Sequence, residues 1–135
     1  MNPLVPCIWV AGAIQILIVA MNVPLPRLLC YRENLSNVSA IIRQIFIVHS
    51  LYIILTLVGF SLLCFWFAPD LAGESPLGRF LSGFLAVFWL LRLCVQLFYY
   101  DVGVKRRYRL VNLAFLSAVL FLGSVFSLAA SGLMR

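Results

Sequence analysis

The sequence predicts an all-α fold, a polytopic membrane protein whose four transmembrane helices form an antiparallel bundle, and three features carry that expectation. Of its 135 residues, 64% are apolar and 10% charged, against the roughly 25% charged residues of soluble domains. Water is the wrong solvent for most of such a chain. Segments at 4–22, 40–68, 77–100 and 110–132 each supply the about 20 apolar residues that carry a helix across a bilayer core. The basic residues, finally, crowd into alternate connections. Four crossings leave only short links, so residues 1–135 are read as one membrane domain with no separate soluble part.

No Lys or Arg precedes Arg27, and no small-x-small cleavage site stands before a polar region. The first segment therefore reads as a retained helix rather than a signal peptide. It ends at NVPLPRLLCYREN, where Pro24 and Pro26 forbid a regular continuation. Residues 25–31 are expected to run along the interface as a turn or short amphipathic stretch. Ser36 or Ser39 can cap the second helix by accepting from the free amides of its first turn. That helix runs through IIRQIFIVHSLYIILTLVGFSLLCFWF and exceeds a minimal crossing, so it tilts or extends past the hydrocarbon. FAPDLAGESPLGRF reads as a short polar connection with turns at Pro69, Gly73 and Pro76. The fourth helix carries small residues at Ser117, Ala118, Gly123, Ser124 and Ser127, which permit close packing and contact with a second subunit. Phe65, Trp66 and Phe67 fit one interfacial aromatic belt, and Tyr99, Tyr100 and Tyr108 the other.

The net charge is +6, and its distribution points to a membrane surface and not to nucleic acid. Arg27, Arg32 and Arg43 lie between and at the edge of the first two helices, and Lys105, Arg106, Arg107 and Arg109 between the last two. The middle connection holds Asp70 and Glu74, with Arg79 at its edge. The positive-inside bias then places both basic connections in the cytoplasm and both termini outside, Arg135 being the exception. Compact loops and this charge pattern fit a bacterial inner membrane. The same basic residues are candidate headgroup ligands, worth about 1 kcal/mol each near a surface. The sequons at Asn34 and Asn37 fall in a connection assigned to the cytoplasm, where no glycan is added. Cys7, Cys30, Cys64 and Cys94 show no paired spacing, so they read as packing thiols with no metal site.

The functional expectation rests on FWLLRLCVQLFYYD, which sets Arg92 inside an apolar run. Insertion scales charge about 2.5–3.5 kcal/mol for such an arginine at a helix centre. No Asp or Glu lies at that depth, so the guanidinium must meet neutral polar groups, Asp101 at the helix end, another subunit or a bound anion. Arg92 lies nine residues before Asp101, and His49 nine after Ala40. At 1.5 Å per residue each sits about 13–14 Å in, so antiparallel neighbours are expected to hold them level. Gln96 stacks one turn from Arg92 on the same face. Tyr52 and Thr56 extend the face of His49, while Gln44 lies roughly 140° around the axis from it. Gln15 and Asn22 of the first segment and Asn112 near the start of the fourth are expected to add to the same polar half.

A polar half of the bundle is thus expected, with Arg92, Gln96, His49, Gln44, Tyr52, Gln15 and Asp101 as candidate ligand-binding residues. The chemistry fits an anionic lipid, an isoprenoid or a quinone-like head, bound by a small accessory subunit. Asp101 also has a purely local use, as an anchor to the basic residues that follow it. Two other classes remain open. An integral membrane enzyme acting on a lipid would use His49 as acid or base and Arg92 against developing negative charge, although no intramembrane carboxylate, metal triad or activated cysteine accompanies them. A structural subunit, of a homo-oligomer or a larger membrane complex, would need only packing faces. The residues specify no cofactor, and a lone histidine rules out bis-histidine haem within one chain.

Overall fold

The computed structural model describes residues 2–28, 30–100 and 102–133. Four long helices dominate it: α1 (Leu4–Asn22), α4 (Ala40–Trp66), α6 (Pro76–Phe98) and α8 (Arg109–Ser131). Each is long and apolar enough to cross a membrane, so the chain is an all-α, four-span membrane bundle. Helical turns α2 (Leu25–Leu28) and α3 (Tyr31–Asn34) follow α1, α5 (Ala68–Leu71) follows α4, and α7 (Val102–Arg107) precedes α8. The long-helix limits differ from the sequence expectation by two residues or fewer, within the usual fraying of helix ends.

Local chemistry accounts for most of these limits. Pro24 and Pro26 stop α1 and leave only single turns behind it. Pro76 occupies the first turn of α6, where its missing N–H costs nothing, and the Ser75 hydroxyl accepts from the Gly78 amide at 3.0 Å. Ser39 holds the corresponding place before α4, but its side chain makes no capping bond. The hydroxyl of Ser36 is diverted as well, donating to the Glu33 carbonyl at 2.6 Å.

The helices pack as two antiparallel hairpins, α1 with α4 and α6 with α8, joined where α1 lies against α8. At the acidic end, the Phe60 ring of α4 meets Phe84 and Phe88 of α6 edge-on, with centroids 6.1 and 5.0 Å apart. Ile8, Cys64, Leu85, Trp89, Leu122 and Phe126 form the fully buried core. The sequence-expected polar loop after α4 is partly apolar structure: Ala68, Leu71 and Ala72 are buried and seal this end. Ser82 of α6 donates to the Leu71 carbonyl at 2.9 Å, and the Asn2 amide donates to that of Ala72 at 2.9 Å. Gly78 is required here, since a Cβ would strike the Asp70 carbonyl.

The register of the first hairpin is offset. A Cβ on Gly12 would stand 2.9 Å from Cys64 Cβ, and the Gln15 amide reaches Cys64 Sγ at 3.4 Å. The carboxyl end of α4 therefore faces the middle of α1. Seven residues further along α1, Asn22 falls opposite Leu57, so the stretch of α4 before Leu57 overhangs by roughly 25 Å. Burial agrees. From Ala40 to Thr56 every residue is exposed except the half-buried Ser50 and Ile54. The second hairpin has no such extension, because Met21 near the end of α1 shares a cleft with Leu110 and Val111 at the start of α8. Beside the overhang, the kinked continuation of α1 runs on through α3, with the Tyr31 ring 5.2 Å from that of Phe46.

Candidate functional site

Arg92 sits on α6, half-buried against α8. One turn on, Gln96 shares its face, and the Arg92 Nη1 donates to Gln96 Oε1 at 3.2 Å. Gln96 in turn donates from Nε2 to Asn112 Oδ1 at 2.6 Å. A three-residue polar chain thus crosses from α6 to the first turn of α8. The guanidinium carbon also lies 4.8 Å from the Phe115 ring centre and 5.4 Å from that of Tyr100. Two ring faces near a cation contribute about 0.5–2 kcal/mol each, more as water is excluded.

This geometry gives the half-buried Arg92 side chain polar and aromatic partners within the α6/α8 hairpin. Its partners among the described residues are neutral: an amide and two aromatic rings. A guanidinium carries five N–H donors in a planar fork suited to phosphate or carboxylate. The site therefore combines a held positive charge with neutral partners among the described residues. Phe115 has a second role, since its ring also walls an apolar cleft of about 330 Å³ between α1 and α8, with Ile14, Ile18, Met21, Val111 and Ala118.

The remaining sequence candidates are distributed elsewhere. His49, Gln44 and Tyr52 are exposed on the overhanging half of α4, and His49 Nδ1 pairs with the Ile45 carbonyl at 3.1 Å. The equal depth expected for His49 and Arg92 is not met, because the hairpin register carries His49 past the end of α1, eight residues beyond the level of Leu57. Gln15 is fully buried between α1 and α4, where its Nε2 donates to the Ala11 carbonyl at 3.2 Å and to Cys64. Its Oε1 has no hydrogen-bond partner. Asn22 caps its own helix by donating to the Ile18 carbonyl at 2.7 Å. Asp101 lies outside the described residues.

Of the basic candidates, Arg27, Arg32, Arg43, Arg106, Arg107 and Arg109 are exposed. Lys105 is half-buried and donates from Nζ to the Leu97 carbonyl at 2.8 Å, closing the last turn of α6. Arg107 lies over the Tyr108 ring at 5.8 Å. Sequence reading missed Phe115 as a neighbour of Arg92. The signal was present, for Phe115 follows Asn112 by three residues and so shares its helix face. Among the described residues no group of three or more His, Cys, Asp or Glu side chains is placed to hold a metal ion. Comparison with known proteins finds no matching family model, no matching curated protein and no matching solved structure.

Proposed function

We propose that this chain is a small integral membrane protein that binds an anionic amphiphile at the basic end of the α6/α8 hairpin, as an accessory component of its membrane. The Arg92 guanidinium, held by Gln96, Phe115 and Tyr100, receives the anionic head. That held charge with neutral described partners is the observation that carries the reading. A lipid phosphate, an isoprenoid diphosphate and a carboxylate share the chemistry it selects. The α1/α8 cleft behind Phe115 is apolar and takes the hydrocarbon. In the membrane, both basic connections face the cytoplasm and both termini the opposite side, following the positive-inside bias.

The direct Gln96–Asn112 bond of 2.6 Å favours a second reading, in which Arg92 only completes a clamp between α6 and α8. One experiment separates the two. The protein is extracted in mild detergent, its bound anionic lipids are quantified by mass spectrometry, and Arg92→Gln and Arg92→Lys are compared with it. Binding predicts that Arg92→Gln weakens retention of phosphatidylglycerol by about fivefold or more, equivalent to about 1 kcal/mol, with helicity preserved. Arg92→Lys keeps the charge and retains an intermediate level. Unchanged lipid content with a lowered unfolding midpoint assigns Arg92 to the clamp alone.

A further inference from the structure

The overhanging half of α4 is not bare on every side. Pro26, Tyr31, Arg32 and Leu35 approach it from the kinked continuation of α1, and together with α4 they enclose a half-open cleft of about 550 Å³. On α4 the walls are Arg43, Phe46, Ile47, Ser50, Leu51 and Ile54. Polarity is graded along this cleft. Arg32 and Arg43 mark the end away from the bundle, whereas Ile47, Leu51 and Ile54 lead towards the point where α1 and α4 close together. From Arg43 to Ile54 is eleven residues, about 16 Å, near the about 15 Å of hydrocarbon in one leaflet.

We infer that this cleft is a binding site for an anionic phospholipid, distinct from the one around Arg92. Its phosphate lies between the guanidinium groups of Arg32 and Arg43, and one acyl chain runs along Ile47, Leu51 and Ile54. Charge and shape both select that occupant. The basic end matches a phosphodiester, which a guanidinium fork can meet with two parallel hydrogen bonds. The apolar end suits a chain already aligned with the membrane normal. Glu33, beside Arg32 in sequence, is exposed and does not line the cleft. The inference stands whether or not Arg92 binds a ligand.

The test uses the full chain in detergent micelles doped with phosphatidylglycerol or phosphatidylcholine. A phosphatidylglycerol carrying a diazirine at the end of one acyl chain is cross-linked by light, and the labelled peptide is mapped. The expected label falls on Leu51 or Ile54, is outcompeted by phosphatidylglycerol and not by phosphatidylcholine, and survives Arg92→Gln. Arg32→Gln with Arg43→Gln is expected to weaken competition by about thirtyfold, equivalent to about 2 kcal/mol. Arg106→Gln with Arg107→Gln removes the same charge outside the cleft and is expected to change it little. Equal losses from both pairs would reduce the effect to general surface attraction and overturn the site. So would the absence of any label on α4. Loss of a dimer in Arg32→Gln with Arg43→Gln, without loss of lipid, would reassign the cleft to a second copy of the chain.

Discussion

Gly12 shows how a single atom sets the contact between α1 and α4. A Cβ at this position would meet Cys64 Cβ at 2.9 Å and the Phe65 ring at 3.2 Å, and although the exposed Phe65 ring can swing aside, the fully buried Cys64 cannot retreat far. Hydrocarbon around the helices removes the usual hydrophobic drive for their association, so close backbone approach at small residues carries much of the stability. Gly12→Val is expected to destabilise the bundle by about 1–3 kcal/mol, measured as a lower midpoint in sodium dodecyl sulfate unfolding followed by circular dichroism. Gln15, one turn away, is a different case. Its Nε2 is engaged by the Ala11 carbonyl and Cys64 between the two helices, while its Oε1 is buried without a hydrogen-bond partner.

At the scale of helices, the polar chain from Arg92 to Asn112 ties α6 to α8 where the apolar core has ended. Gly123 provides the matching closeness further along, since a Cβ there would lie 3.0 Å from Leu90 Cδ2. Interhelical hydrogen bonds in membranes are worth about 0.6 kcal/mol on average and about 1.7 at most. Asn112→Leu and Gln96→Leu are each expected to lower stability within that range, and the double variant by less than their sum. Full additivity in such a double-mutant cycle would show that the 2.6 Å bond contributes nothing to unfolding. The serines of these helices do not add to the tie. Ser117 and Ser124 are exposed and donate to the carbonyls of Leu113 and Leu120 in their own helix, the usual way a hydroxyl is satisfied away from water.

For the molecule as a whole, the two hairpins differ in reach at the basic end. Cys30 lies in the connection between α3 and the end of α2 and is exposed, which makes it a reporter of sidedness. A variant retaining only Cys30 is expected to react with a membrane-impermeant maleimide in inverted vesicles and to remain unlabelled in intact cells. Labelling of intact cells would reverse the orientation drawn from the basic connections. Hydropathy and proline placement are local properties, which is why the four spans and their limits to within two residues were legible in the order of amino acids. The pairing of Gln96 with Arg92 was legible for the same reason, as it needs only the pitch of one helix. Register between helices is not local. It is decided by where Gly12 lets α4 approach α1, and that contact displaces His49 from the depth of Arg92 that counting from helix ends implied. It also buries Gln15 away from both and leaves half of α4 overhanging. Composition and periodicity thus determined which segments leave water, whereas side-chain packing between segments decided which polar groups meet, because a helix can slide along its neighbour without altering a residue's own surroundings in sequence.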